Sequence, residues 1–282
     1  MNSINLENTY TSLPPEFFRY TEAETMPDVK LIKTNEQLAD LLDIDISFLK
    51  SQNGLRFLSG KNAENLPKSI SLAYAGHQFG HLVPQLGDGR AVLLGDKICK
   101  DGVRRDIQLK GSGKTYFSRG GDGRAGIGPV IREYLMSESM HYLGVPTTRS
   151  LAVLLTGEKV VREEVSPGAM LARVATSHVR VGTFEFFAIR NQKDNVRKLA
   201  DFMIERSHPD LSEKKKKYEL FFERIVTGQA SLVAQWNSVG FIHGVMNTDN
   251  TSISYETIDY GPCAFMDSYE ANKVFSSIDQ FG

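Results

Sequence analysis

Cysteine is scarce in this 282-residue chain: Cys99 and Cys263 are its two. Two thiols cannot build a disulfide framework, so a small stapled secreted scaffold is excluded and a reducing, cytoplasmic address is expected. Long apolar runs are lacking too. Leu151-Ala-Val-Leu-Leu155 is strand length, whereas a membrane-spanning helix needs about 20 apolar residues. No charge of one sign dominates, since 33 basic residues meet 34 acidic ones for a net charge of -1. That balance fits neither a nucleic-acid binder nor a membrane-surface protein. The opening Met1-Asn-Ser-Ile-Asn-Leu-Glu-Asn has neither the basic start nor the apolar stretch of a signal peptide. A phosphate loop of the Walker type is also missing. Gly111-Ser-Gly-Lys-Thr115 suggests one, but the glycine that should open it is Gln108. His77 and His81 stand four apart, yet Gly76 and Gly80 argue against the helix that would make them a metal pair, and no third ligand is near.

What is present falls into an ordered series. Residues 1–70 alternate short apolar clusters with prolines and polar breaks and read as a wrapping extension, with a short amphipathic helix over Asn35-Glu-Gln-Leu-Ala-Asp-Leu-Leu42. Val83 to Leu94 reads as a hairpin turning at Gly87-Asp88-Gly89-Arg90, where glycines serve either an ordinary turn or the close approach of backbone N–H groups to an anion. In Asp106-Ile-Gln-Leu-Lys110, Ile107 and Leu109 alternate with Gln108 and Lys110, a strand ending in a lysine that is solvated or functional. The run Ser118 to Gly126, containing Asp122, Gly123 and Arg124, is too rich in glycine to be regular and reads as a loop folding over something anionic. A helix is expected from Pro129, with Ile131, Leu135 and Met136 on its apolar face and Glu133 in its second turn, ending near Gly144-Val-Pro146.

Strands are then expected over Leu151–Leu155, Lys159–Arg162 and Ala169–Ala175, with turns at Thr156-Gly-Glu158 and Ser166-Pro-Gly168. Arg173 lies among small and apolar residues and Arg180 follows soon after; a guanidinium so placed requires an anion, either a carboxylate or a phosphate. A charged helical section runs from Thr183 to Arg206, and His208-Pro-Asp210 breaks it. Phe221, Ile225, Val226, Leu232, Val233 and Trp236 recur at helical spacing and mark a core helix ending at Gly240. Beyond it, Asp249, Asn250 and Asp259 flank a short strand-turn-strand over residues 251–258. Such a hairpin either caps itself with polar residues or gathers oxygen ligands for a hard divalent cation.

Glycine-turn hairpin, strand lysine, helix glutamate, antiparallel strands, helices, polar loop and Asp259-Tyr-Gly261 follow the order of a protein kinase. In that fold the lysine grips phosphates, the glutamate holds the lysine, and an asparagine and an aspartate hold the metal. Lys110, Glu133, Asn250 and Asp259 fall in those places. The fold expected is therefore α+β and kinase-like: an antiparallel-sheet lobe over residues 71–182 with its helix, and a helical lobe beginning at 183–282. The departure is Val245, which stands where a kinase places its catalytic aspartate. Valine accepts no proton, so read strictly this is a pseudokinase, except that Asp249, next to the metal asparagine, could serve as the base from a different direction.

The motifs Ala75-Gly-His-Gln-Phe-Gly80, Leu86-Gly-Asp-Gly-Arg90, Leu109-Lys-Gly-Ser-Gly113, Gly121-Asp-Gly-Arg-Ala125 and Asn247-Thr-Asp-Asn250 resemble the selenoprotein O family, also called the YdiU or UPF0061 family, from about residue 70 onward. The resemblance implies kinase-like proteins that transfer AMP from ATP to hydroxyl side chains of proteins, with the nucleotide flipped. Carried over by position, it implies that Gly87, Gly89 and Arg90 line the nucleotide, that Lys110 held by Glu133 contacts its phosphates, and that Asp122 and Gly123 lie against it. Arg173 and Arg180 would bind its phosphates. Asp249 would accept the proton, and Asn250 and Asp259 would hold Mg²⁺ or Mn²⁺. Family members continue into a largely helical lobe, so this chain, which stops at Gly282, is expected to hold only part of it. A catalytically silent nucleotide-binding scaffold and UMP transfer from UTP are the alternatives at the same site.

Overall fold

The computed structural model of the chain describes residues 4–61, 66–270 and 272–275. In chain order its principal strands are β1 (Phe18–Tyr20), β2 (Lys30–Thr34), β3 (Ile70–Leu72), β4 (Gly76–Gln78), β5 (His81–Val83), β6 (Ala91–Ile98), β7 (Arg104–Lys110), β8 (Ala125–Gly126), β9 (Arg149–Val161) and β10 (Val165–Ala175). The helices are α1 (Glu36–Leu41), α2 (Ile46–Leu49), α3 (Gln52–Leu58), α4 (Ile127–Tyr142), α5 (Val181–Ala188), α6 (Lys193–Ser207) and α7 (Lys217–Ser238). They form a mixed α+β structure in two compact units. The first comprises Met1–Ala73, Leu86–Glu138 and Thr148–Thr176, the second Tyr74–Gln85, Ser139–Thr147 and Ser177–Gly282.

The first unit is built on an antiparallel sheet in the order β1-β3-β6-β7-β10-β9-β2, with β8 added against β10. Its strands alternate as a pleat requires. Ile107 and Leu109 of β7, with Met170, Ala172 and Val174 of β10, join Leu38, Leu49, Phe57 and Leu58 of α1–α3 in one buried cluster. The intervening residues face the other way, where Ala169 and Leu171 of β10 pack with Val130 and Tyr134 of α4. Gln108, Lys110 and Arg173 belong to that second set, and the register sets Arg173 directly across from Gln108. Asn35 caps α1 by accepting from the Leu38 N–H at 3.1 Å, and α1 falls where the amphipathic pattern places it.

Three local expectations give way. No hairpin forms over 83–94. Val83 pairs with Gly76, while β6 pairs with β3 and β7, because residue 88 is bound to β3: the Asp88 N–H donates to the Leu72 carbonyl at 2.9 Å, and the Leu72 N–H donates to the Asp88 carboxylate at 3.1 Å. The turns expected at 156–158 and 166–168 are instead one irregularity in a long β9–β10 ladder, where the register shifts between Pro167 and Ala169. On α4, Leu135 is 56% exposed, whereas Val130, Glu133, Ser137 and Met140 are buried. The helix turns a carboxylate inward because Lys110 and Arg173 are there to meet it.

In the second unit β4 and β5 form a two-stranded hairpin. The charged helical section is split into α5 and α6 at Asn191, whose φ is 55°. The C-cap of α6 is His208, as the His-Pro pair predicts. Helix α7 buries Phe221, Leu232 and Trp236, but Val226 is exposed. Trp236 stacks on His243 and donates its indole N–H to Thr257 at 2.8 Å. The expected hairpin over 251–258 is absent, since its backbone groups bond elsewhere. The Val181 N–H donates to the Thr251 carbonyl at 2.9 Å, the Ile253 N–H to Val179 at 3.0 Å, and the Thr257 N–H to Pro146 at 3.0 Å. The final residues of the chain, 276–282, lie outside the described residues.

Candidate functional site

In the first unit, β7, α4 and β10 bring three expected residues into one group, with Glu133 and Arg173 buried and Lys110 partly exposed. Lys110 donates to Glu133 Oε2 at 2.5 Å, and Arg173 donates to Glu133 Oε1 at 3.0 Å. Arg173 also donates to Gln108 Oε1 at 2.5 Å. Two cations on one carboxylate hold the lysine ammonium at a fixed place at the end of β7. Removing one partner of such a buried pair costs about 3–5 kcal/mol. Arg173 therefore meets a carboxylate here, one of the two partners its setting demanded.

The glycine loops lie beside this strand. Gly87 has φ of 60°, and a Cβ there would stand 2.3 Å from the Phe117 ring. The close approach its missing side chain permits is therefore to residues 115–118. Thr115 Oγ1 donates to the Asp88 carbonyl at 2.7 Å and Ser118 Oγ to the Gly89 carbonyl at 2.6 Å. Gly123, with φ of 66°, would set a Cβ 1.9 Å from the Gly113 carbonyl oxygen, so the loops at 111–115 and 120–125 touch backbone to backbone. Arg90 is exposed, and its carbonyl accepts from Gly111 at 2.7 Å and Ser112 at 3.3 Å. Asp122 does not join Lys110. Its carboxylate takes two bonds from Arg162, at 2.8 and 2.7 Å, and the Arg162 guanidinium draws its pKa down to about 2.

In the second unit, the 3-10 turn Thr248–Asn250 carries the acidic Asp249 and the amide Asn250 of the polar loop. Asp249 is buried, and its Oδ1 accepts from the His77 backbone N–H at 3.0 Å. Its Oδ2 has no hydrogen-bond donor among the described residues. Asn250 Nδ2 donates to the Val245 carbonyl at 2.9 Å, which fixes the amide and leaves Oδ1 as an oxygen able to ligate a cation. Arg180, buried over the Tyr74 ring at 4.7 Å, donates to both the Asp249 carbonyl and the Asp259 carboxylate. Asp259 has φ of 61°, a backbone state that favours glycine and that its Arg180 pair holds in place. Among the described residues no three His, Cys, Asp or Glu side chains gather into a metal cage.

Several residues around these groups escaped the sequence reading. His77 Nδ1 meets Thr248 Oγ1 at 3.2 Å, and Thr248 in turn donates to Glu185. The pair His77/His81 holds no metal geometry: the two residues sit on facing strands of a hairpin. Only the adjacency of Thr248 to Asp249 could have signalled this network, since Glu185 lies on an otherwise apolar helix. Gln108 was visible as the polar partner of Lys110 in the alternation, but not as a member of its group.

A family model described as Protein adenylyltransferase SelO matches residues 1–282. Among curated proteins the chain is similar to the protein nucleotidyltransferase YdiU of Bradyrhizobium diazoefficiens, 57% identical over 276 residues, which is 98% of this chain and 56% of that protein. It is also similar to the protein of the same name from Nitrobacter hamburgensis, 57% identical over 279 residues, 99% of this chain and 55% of that protein. The Rhodopseudomonas palustris protein of that name is 56% identical over 276 residues, covering 98% and 56%. The chain thus spans about half the length of the curated relatives it matches. With the family model matching from the first residue to the last, the chain belongs to the SelO family.

Proposed function

We propose that this chain carries the nucleotide-handling part of a protein adenylyltransferase of kinase-like fold, moving AMP from ATP to Ser, Thr or Tyr hydroxyls of proteins. The observation that carries the reading is the Lys110–Glu133–Arg173 group, a phosphate-gripping lysine fixed by a helix carboxylate. In this reading Gly87, Gly89, Arg90, Asp122 and Gly123 line the nucleotide and Lys110 meets its phosphates, with Arg173, buried against Glu133 and Gln108, holding that group in place. The names of the relatives, all protein nucleotidyltransferases, support the class of reaction.

The donor set of the second unit fits a hard divalent ion. Asn250 offers an amide oxygen and Asp259 a carboxylate shared with Arg180; two protein oxygens plus triphosphate oxygens suit Mg²⁺ or Mn²⁺. Such an ion would neutralise the pyrophosphate that departs. Asp249, with one oxygen tied by His77, takes the proton from the attacking hydroxyl through the other. The hydroxyl oxygen bonds to the α-phosphorus as the α–β anhydride bond breaks. The residue at a kinase's usual base position, Val245, takes no part.

Incubation with ATP labelled at the α- or the γ-phosphate, in the presence of Mg²⁺ or Mn²⁺, tests the reaction. Label enters protein from α-labelled ATP alone in this reading. Entry from γ-labelled ATP would make the chain a kinase, and labelling from UTP in preference to ATP would change the group transferred.

A further inference from the structure

We infer that Gln108 is a positioning residue of the nucleotide site, tying the loop of Gly87 and Gly89 to the Lys110–Glu133–Arg173 group through Asp88. The inference rests on the proposed nucleotide-binding reading. Asp88 stands between the two glycines, and its Oδ2 accepts from Gln108 Nε2 at 3.0 Å and from the Leu72 N–H at 3.1 Å. The other end of the Gln108 amide accepts from Arg173 at 2.5 Å. Arg173 then donates to Glu133 at 3.0 Å, and Glu133 receives Lys110 at 2.5 Å. The four central members, Asp88, Gln108, Arg173 and Glu133, are each at most 2% exposed. A relay this deep is not shared with solvent.

The chemistry asks for an amide at this position. Its nitrogen faces an anion and its oxygen faces a cation, so a flipped amide fails at both ends. A carboxylate would set a second negative charge beside Asp88, a cation would repel Arg173, and an apolar residue would strip a partner from both. The cross-strand register places Arg173 directly opposite Gln108, so the pair is fixed by the sheet rather than by a loop. The consequence is mechanical: the glycine loop and Lys110 hold one relative position because one side chain bonds both to Asp88 and to Arg173, which in turn holds the glutamate that anchors Lys110.

The test measures nucleotide affinity in the full 282-residue chain with a fluorescent ATP analogue and Mg²⁺. Gln108→Met keeps shape and removes both bonds; affinity should fall about tenfold or more, the usual scale for loss of a supporting contact. Gln108→Glu is the second variant, in case the first does not fold. Protonated, its carboxyl donates to Asp88 and accepts from Arg173. Ionised, it repels Asp88. The other charges in this setting, Glu133, Lys110 and Asp106, with the Tyr10 phenol near Asp88 and Asp106, are common to the wild type and cancel in the ratio. The affinity of Gln108→Glu relative to wild type should therefore be near one at about pH 5 and fall as pH rises toward about 8, through the carboxyl's titration. Wild-type affinity in Gln108→Met, or a flat ratio in Gln108→Glu, overturns the relay. A wild-type chain that binds no nucleotide overturns the functional reading, and the relay's role with it.

Discussion

The proposed reaction puts its proton transfer on one carboxylate, Asp249. Its Oδ1 is held by the His77 N–H at 3.0 Å, and the proposal assigns the proton to the remaining oxygen. Asp249→Asn keeps the hydrogen bond to His77 through its amide oxygen while losing basicity. Transfer should fall about 10²–10⁴-fold, as for loss of a general base, with nucleotide affinity retained; label incorporation and calorimetry read the two separately. Asp122 offers a second check. Arg162 holds its carboxyl at about 2, below its ordinary value, so the ion pair contributes stability above about pH 4 that is lost as pH falls toward the native value. The pair is substantially exposed, so the contribution is small. Arg162→Gln should move the Asp122 titration, followed by carboxyl NMR, back up to the usual carboxylate range. An unmoved titration would show that the pair does not persist in solution.

At the scale of elements, contacts between loops decide more than the strands do. Gly123→Ala would push a Cβ to 1.9 Å from the Gly113 carbonyl oxygen, a backbone atom that cannot turn away, at a left-handed φ. A loss of about 1–3 kcal/mol is expected from such overpacking, read as a lowered denaturation midpoint. His208, at the end of α6, gives the second unit a pH response. Burial, with Arg224 beside it, pushes His208 below its ordinary value, and its ring nitrogens meet Tyr255 at 2.9 Å and Arg224 at 3.4 Å. Being neutral when folded, it favours the native state fully above about pH 6.5, and that stability drains as pH falls below this value. His208→Gln should flatten the fall of Tm between about pH 7 and 5; an unchanged slope would place the response elsewhere, for instance at buried His243, which burial also pushes down.

Elements with their own period were legible in the sequence. β7 alternates Ile107 and Leu109 with Gln108 and Lys110, and α7 stops at Ser238, two residues short of the Gly240 at which its spacing predicts the end. Elements whose bonds go to distant residues were not. Thr251–Ile258 looks like a hairpin, yet its backbone groups bond to residues 146 and 179–181, and no local pattern announces such partners. The apolar face of α4 misled for a related reason. Ile131 and Leu135 face outward because Glu133 is drawn in by two cations, so electrostatics outweighs hydrophobic periodicity there. Of the candidate site, motif order singled out Lys110 and Glu133, which the fold joins by a hydrogen bond. The mutual geometry was not readable, and the amide of Gln108 and the His77–Thr248–Glu185 network emerged only with the fold.

For the molecule as a whole, the family assignment rests on a match along all 282 residues, while the curated relatives are nearly twice as long as the stretch they share with it. Among the described residues no helix is long and apolar enough to cross a membrane. The central claim is that this chain holds a nucleotide and moves its adenylyl group onto a protein hydroxyl, with Asp249 as base. The mass added to protein after incubation with ATP and Mg²⁺ or Mn²⁺ tests it most directly, with the wild-type and Asp249→Asn chains side by side. The account predicts the mass of one adenylyl group on a hydroxyl residue in the wild type and none with Asp249→Asn, though the variant still binds ATP. A phosphoryl mass, or equal adenylylation by the variant, would contradict it.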